Sequence, residues 1–263
     1  MAPRTVAPPP EGYLRVRMTV AYDGSGFHGL ATNPDVRTVQ DDIEAVLAKV
    51  LRQPTTTTCA GRTDRGVHAR GQVMTFDADA NHFDSHSLTR ALNRMLAPQI
   101  SVRDVRATRP DFDARISCVA RSYRYRVLNS PWPDPLVHHL SWHVREPLEL
   151  AAMQTAADQI LGEHDFTSFS KKNKSKVNET FVRTVHRATW RRVGDTVQLE
   201  ITANAFTHQM VRSLVGMFVE IGRGRRRAVD MGQALRARSR DAVPSPAPPQ
   251  GLVLMQAHYH DDA

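Results

Sequence analysis

The chain has 263 residues, enough for one large domain or two small ones, and its 41% hydrophobic content allows a true core. Lysine and arginine outnumber aspartate and glutamate 35 to 27, which gives a net charge of +8 and an isoelectric point near 10.0. This balance favours a polyanionic partner, and nucleic acid is favoured over an anionic membrane surface. Two cysteines are too few for a disulfide framework. No apolar run approaches the roughly 20 residues of a membrane helix, so we expect a cytoplasmic protein without a membrane segment.

The first part of the chain predicts alternating strands and helices. Met1–Pro10 contains four prolines and no apolar region, which predicts a disordered tail over 1–12 rather than a signal peptide. Apolar residues alternate from Leu14 to Tyr22 as in a half-buried strand, and Thr38 precedes a helical apolar stripe that ends at Leu51. The other predicted elements are strands at 55–59 and 72–77, a helix capped by Ser87 that ends at Leu96, and a strand at 100–105.

The second part repeats this order of elements. Gly194-Asp195 separates two strand patterns, 181–193 and 197–203, as in a hairpin. The other predicted elements are strands at 117–128 and 252–259 and helices at 148–161 and 206–221. We therefore predict an α+β protein of two ferredoxin-like β-α-β-β-α-β lobes, residues 13–107 and 108–263. Their sheets form one joined antiparallel sheet with helices on one side and a central basic cleft.

A charged stretch, Cys59–Ala69, follows the predicted strand at 55–59. Its centre is Asp64, which lies between Arg62 and Arg65 and is flanked by Gly61 and Gly66. Aspartate disfavours strands and glycine permits tight turns, so Asp64 is predicted to lie on a loop where an arginine keeps it ionised. Such a carboxylate is a candidate for catalysis, and the alternative is a surface turn with exposed ion pairs.

Gly24–Gly29 matches the G-x-G-x-x-G pattern of dinucleotide-binding proteins. That motif requires a helix that opens at the glycines, whereas the next predicted helix begins near Thr38. The preceding strand also alternates, unlike a central parallel strand. A flexible loop near a ligand is therefore favoured, and a thermal shift with NAD(P) or ATP would reveal a nucleotide-dependent enzyme.

Metal sites are not predicted, because His139 and His143 have no carboxylate at a suitable spacing.

Arg121–Val127 alternates arginine with tyrosine on a strand, which favours a core position for Tyr125 and base stacking for Tyr123. Arg212 lies at the border of an apolar helix face, where it either reaches solvent or pairs with a carboxylate.

Two segments carry most of the excess positive charge. Four lysines crowd the loop from Lys171 to Lys176, and seven arginines follow the predicted helix at 206–221, from Arg223 to Arg240. Only Asp230 opposes the charge of these arginines, and Gly222 and Gly224 lie beside the first of them. Either segment can be a solvated surface, but their charge density favours contacts to phosphate.

Six blocks spread over residues 14–259 resemble the tRNA pseudouridine synthase A family. The strongest, Gly61–Ala69, is close to the family signature G-R-T-D-x-G-V-H-A. The other blocks are Tyr22–Ser25 with Phe27 and Arg37–Gln40, Arg121-x-Tyr123-x-Tyr125, Asp165–Phe169, Met210–Arg212 with Gly216, and Gly251–Leu254.

The resemblance implies an isomerase that converts uridine to pseudouridine at tRNA positions 38, 39 and 40, in the anticodon stem-loop. It also implies a homodimer that uses neither a metal nor an organic cofactor. Asp64 resembles the catalytic aspartate, Arg62 and Arg212 the arginines around it, and Tyr123 the tyrosine over the target base. The residues expected to contact the substrate are Tyr123, Leu252, Phe27, Lys171 and Lys172. The competing hypothesis is a non-catalytic RNA-binding protein on the same scaffold.

Overall fold

A computed structural model describes residues 5–172 and 180–260, and the chain divides into two compact units. The first unit comprises Met1–Val119 and Leu254–Ala263, and the second comprises Ala120–Val253. Lys174 and Lys176 of the predicted basic loop lie outside the described residues. The predicted lobe boundaries, the joined sheet and the central cleft stay predictions.

The first unit has the predicted β-α-β-β-α-β order. Its elements are β1 (Tyr13–Tyr22), α1 (Val39–Leu51), β2 (Thr58–Cys59), β3 (His68–Asp79), α2 (Ser85–Leu96) and β4 (Ile100–Ala107). β1 pairs antiparallel with both β3 and β4, and the two-residue β2 pairs with β3. Strand β10 (Leu252–His258), whose residues from Leu254 belong to this unit, is the next neighbour of β3.

Local capping explains where the helices of the first unit begin. Thr38 caps α1 as predicted, because its side chain accepts a hydrogen bond from the Asp41 backbone N–H. The predicted cap of α2 is wrong. Asp84 caps this helix instead, since its carboxylate accepts from the backbone N–H groups of His86 and Ser87. In the segment predicted as a disordered tail, the structure describes the residues from Thr5 onward. The Ala7 carbonyl in this segment accepts a hydrogen bond from the Arg15 side chain.

The second unit contains the same order of elements with three additions. Its elements are β5 (Ala120–Leu128), β6 (Trp142–His143), α3 (Leu150–Asp158), β7 (Gly162–Asp165), β8 (Val182–Val193), β9 (Thr196–Ala203), α4 (Met210–Gly222), α5 (Asp230–Ala237) and the start of β10. The predicted hairpin is confirmed, with Gly194 at a φ of +57° in the turn between β8 and β9. The additions β6, β7 and α5 were not predicted, because each is short: β6 has two residues, β7 four and α5 eight.

The sheet of the second unit runs in the order β5-β9-β8-β7, with antiparallel pairs throughout, and β6 is parallel to β5. Helices α3 and α4 cover one face of this sheet. The Gln154 side chain of α3 accepts a hydrogen bond from the Trp190 backbone N–H, and the Trp190 ring packs edge-on against Phe218 of α4 at 5.6 Å. The core therefore lies between this face and the helices, and polar side chains occupy the other face.

Helix α4 begins at Met210, four residues after the predicted start at Phe206. Gln209 precedes it with a left-handed φ of +65°, which a regular helix excludes. The helix is buried around most of its circumference, and a Cβ atom on Gly216 would lie only 2.4 Å from the Ser245 carbonyl oxygen. The segment around Ser245 is therefore packed directly on the backbone of α4. No helix in the described part of the chain is long and apolar enough to cross a membrane.

Candidate functional site

The loop that carries Asp64 connects β2 to β3 and is anchored at several points. The Ala60 N–H donates to the Val73 carbonyl at 2.9 Å, and the Gln72 side-chain amide donates to the Gly61 carbonyl at 2.7 Å. The Tyr22 hydroxyl lies 2.7 Å from the Thr63 hydroxyl. Because the start and the middle of the loop are hydrogen-bonded to buried partners, the backbone next to Asp64 is fixed by its surroundings.

Asp64 itself lies half-buried at the turn of this loop. Its carbonyl accepts a hydrogen bond from the Val67 N–H at 3.1 Å, and Gly66 adopts a left-handed φ of +77° that closes the turn. The neighbouring Arg62 side chain is exposed. Burial raises the pKa of the Cys59 thiol, which keeps this possible competing nucleophile protonated near neutral pH.

The glycine-rich segment 24–29 packs against the Asp64 loop. A Cβ atom on Gly24 would lie 2.1 Å from the Val67 carbonyl oxygen, and one on Gly29 would lie 2.9 Å from the Thr63 carbonyl oxygen. Gly24–Gly26 form a short 3-10 helix, so this segment is not the opening of α1. The glycines permit the close approach of two backbone segments, and the predicted proximity of this segment to a ligand stays a prediction.

His68 is a supporting residue that the sequence analysis did not single out. It is 3% exposed, and its Nδ1 accepts a hydrogen bond from the Gly24 N–H at 3.1 Å. The same Nδ1 lies 3.1 Å from the Asp23 carboxylate, and these contacts tie the glycine-rich segment and its preceding residue to the first residue of β3. His68 is the histidine of the Gly61–Ala69 signature, and this position in the signature could have identified it from the sequence.

Phe27 was expected to contact the substrate, but its ring is only 1% exposed. The Arg37 guanidinium covers the ring at 4.5 Å from its centroid. The ring therefore has no face open to a ligand, and its contact with Arg37 stabilises the glycine-rich segment instead.

Tyr123 and Tyr125 lie on the helix-covered face of β5 in the second unit. Tyr125 belongs to the core as predicted, and its hydroxyl donates to the Pro248 carbonyl at 2.7 Å. Burial raises the pKa of the Tyr125 phenol far above its ordinary value, so it stays neutral. Tyr123 is 8% exposed and meets Phe206 edge-to-face at 5.1 Å, which fixes the plane of its ring.

Arg212 lies on α4 beside the proline-rich segment that precedes β10. Its Nε donates to the Ala247 carbonyl at 2.8 Å, and the Ala247 N–H donates to the Arg212 carbonyl at 2.9 Å. Leu252 follows at the start of β10 and is 6% exposed. Gly251 approaches the Tyr125 ring so closely that a Cβ atom would lie 2.6 Å from it. The proline-rich segment therefore holds Arg212, Tyr125 and Leu252 in one packed arrangement.

The basic segments differ in how much of their charge is paired. Lys171 and Lys172 are exposed. By contrast, Arg223 pairs with Glu146 at 3.1 Å and with Glu220 at 3.0 Å, and a neighbouring arginine contacts the same two carboxylates. The charge of the arginine run is thus partly neutralised by Glu220, three residues before Arg223, and by Glu146, which is distant in sequence.

Among residues 5–172 and 180–260 there is no group of three histidine, cysteine, aspartate or glutamate side chains that could hold a metal ion.

Comparison with known proteins identifies the relationship of the chain. The family model described as "tRNA pseudouridine synthase" matches residues 18–115 and 156–260, more than half of the chain.

Individual proteins extend this match over nearly the whole length. The tRNA pseudouridine synthase A of Halalkalibacterium halodurans is 42% identical over 240 residues, covering 91% of this chain and 90% of the relative. The proteins of the same name from Corynebacterium glutamicum and Klebsiella pneumoniae are 40% and 38% identical, each covering 94% of this chain and 89% and 90% of the relative. The solved "Crystal Structure of a Cbf5-Nop10-Gar1 Complex" matches at 14% identity and a TM-score of 0.31, over 82% of this chain and 53% of that one. A match at this level does not establish a shared fold.

Proposed function

The chain belongs to the tRNA pseudouridine synthase family, and from this premise we propose that it isomerises uridines 38, 39 and 40 of the tRNA anticodon stem-loop with Asp64 as the catalytic group. The observation that supports Asp64 is the anchoring of its loop through Tyr22 and Gln72, while its carboxylate stays half-buried. Preorganisation of this kind lowers the cost of reaching the transition state.

The reaction explains why a fixed carboxylate is needed. Pseudouridine formation breaks the N1–C1′ bond, turns the uracil and joins its C5 to C1′, after which C5 loses a proton and N1 gains one. No atoms are gained and no electrons are transferred. Attack by a carboxylate on the base or the sugar, or removal of a sugar proton, each requires an ionised group close to the nucleoside. Asp64 supplies that group, and Arg62 contributes positive charge on the same loop.

The target uridine must also leave its stack, which costs a few kcal/mol. Tyr123 stacks on the displaced uracil and recovers part of this cost, because its ring is already held by Phe206. Arg212 serves as a further catalytic group, Leu252 lines the uracil, and Lys171 and Lys172 contact the RNA backbone. A homodimer and a cytoplasmic location stay predictions.

Incubation with unmodified tRNA transcripts, followed by mapping of pseudouridine, tests the proposal directly. We expect pseudouridine wherever uridine occupies positions 38, 39 or 40, and none in matched transcripts with cytidine at these positions. A product found only elsewhere would contradict the choice of substrate site. Binding of tRNA without any product would favour the non-catalytic RNA-binding hypothesis.

Replacing Tyr123 with alanine is expected to slow the single-turnover rate about 5- to 150-fold, because base stacking contributes about 1–3 kcal/mol. Tyr123→Phe keeps the stacking ring and should retain the affinity for the substrate. Melting temperatures of both variants control for loss of the contact with Phe206. Equal rates in the alanine variant and the unmodified enzyme would remove Tyr123 from the mechanism.

A further inference from the structure

The open face of the sheet in the second unit is polar over three strands. Residues directly opposite one another on neighbouring antiparallel strands share a face. The strand register therefore puts nine side chains on this face in three rows: Ser122, Thr202 and Arg187; Arg124, Glu200 and Thr189; and Arg126, Gln198 and Arg191. Helices α3 and α4 cover the opposite face, which carries the apolar Ala188 and Trp190.

The nine residues include four arginines and a single acidic residue, Glu200. Its carboxylate lies 2.8 Å from Arg124, 2.8 Å from Arg191 and 3.8 Å from Arg187. The side chains of Arg187 and Arg191 are 62% and 50% exposed, whereas Glu200 is 25% exposed. One carboxylate is therefore shared by three guanidinium groups, which leaves positive charge in excess at the solvent-facing side.

Stability alone does not account for this arrangement. Exposed ion pairs contribute about 0–1 kcal/mol each, and β9 separates the two arginines of β5 from the two of β8. Glu200 instead acts as a hub that holds three guanidinium groups in place around it. A guanidinium held in place loses less entropy when it binds a second anion, and its planar fork matches phosphate oxygens.

The charge and composition of the face select among possible partners. A second copy of this chain carries the same net charge of +8, which opposes self-association through a basic face. No apolar side chain occurs among the nine residues, so a membrane surface would gain no hydrophobic contact. A polyanion with regularly spaced phosphates fits both features.

We propose that these arginines, called here the arginine face (Arg124, Arg126, Arg187 and Arg191 around Glu200), bind the phosphate backbone of the tRNA substrate away from the reacting nucleotide. This inference rests on the proposed function, because it takes tRNA as the substrate. The face contributes affinity and orientation, and the chemistry remains at Asp64.

The double variant Arg187→Ala/Arg191→Ala tests the proposal through tRNA affinity between 50 and 200 mM salt. We expect binding about tenfold weaker and a salt slope shallower by about 1.5, because each phosphate contact contributes about 0.7–0.9 to the slope. KM should rise while kcat stays unchanged. The matched control is Arg90→Ala/Arg94→Ala, which removes the same charge from exposed positions on α2. Equal affinities of the two double variants would overturn the proposal.

Glu200→Gln gives a test of the opposite sign. Glutamine keeps a side-chain oxygen that can still accept from the guanidinium groups, but it removes the one negative charge of the face, so tRNA affinity should rise about threefold and the salt slope should steepen. A purely structural network would lower the melting temperature and leave tRNA affinity unchanged, and this result would overturn the proposal. So would a change of oligomeric state in Arg187→Ala/Arg191→Ala, which would assign the face to a second copy of the chain.

The two proposals fail in distinguishable ways. If the unmodified enzyme forms no pseudouridine in tRNA, the proposed function is wrong. If it forms pseudouridine normally and Arg187→Ala/Arg191→Ala binds tRNA like its control, only the arginine face is wrong.

Discussion

Asp64→Asn is expected to abolish pseudouridine formation, with a loss of at least ~10⁴-fold in the single-turnover rate, while tRNA affinity changes less than about threefold. Asparagine has the same shape as aspartate, so the loop anchored by Tyr22 and Gln72 should remain in place. It lacks the negative charge, and it cannot act as nucleophile or base. The rate is measured with enzyme in excess over a tRNA transcript, and binding is measured separately on the same transcript.

The matched control is Asp42→Asn. It removes a carboxylate from α1 that pairs with Arg37 at 2.7 Å, in the same unit but outside the Asp64 loop. This variant should keep its activity within about threefold, because exposed ion pairs contribute little. If Asp64→Asn retained a tenth of the original rate, the catalytic role of this carboxylate would be refuted.

Gly24→Ala is expected to have the second largest effect, and it acts through the backbone. A Cβ atom at this position would lie 2.1 Å from the Val67 carbonyl oxygen, so one of the two backbone segments must move. We expect the free energy of unfolding to fall by about 1–3 kcal/mol or more. The rate should fall about 10²-fold, because displacement of a catalytic group by about 1 Å costs this much. Urea unfolding and the single-turnover assay measure the two effects.

Gly26→Ala is the control for this change, two residues along in the same short helix. Its Cβ atom would meet only the side-chain ends of Gln99 at 2.8 Å and Arg37 at 3.9 Å, and both can move. This variant should lose less than about 1 kcal/mol of stability. Equal behaviour of the two alanine variants would show that the glycine-rich segment does not position the Asp64 loop.

Features that depend on neighbours in sequence could be predicted well. Thr38 caps α1 because its side chain reaches a backbone N–H three residues away, and Gly194 turns the β8–β9 hairpin because it tolerates a positive φ. The position of Asp64 on a loop followed from the glycines on either side of it. All three inferences use conformational preferences that act within a few residues.

Features that depend on distant partners could not be predicted. The sequence around Arg223 contains an excess of arginine, but its partner Glu146 lies 77 residues earlier. Phe27 was expected to contact the substrate, but its ring is buried in the core. The start of α4 depends on the left-handed conformation of Gln209, which is uncommon for a residue other than glycine. In each case the deciding contact or conformation is set by tertiary packing.

The placement of β10 has a consequence for synthesis on the ribosome. Residues from Leu254 complete the sheet of the first unit beside β3, but residues 120–253 separate them from the rest of that unit. When Val119 leaves the ribosome, part of the edge of β3 is still without its neighbouring strand, and unpaired edges favour intermolecular pairing. The loop that carries Asp64 leads into this strand. The nascent chain therefore cannot complete the unit that holds the Asp64 loop until the whole second unit has been translated.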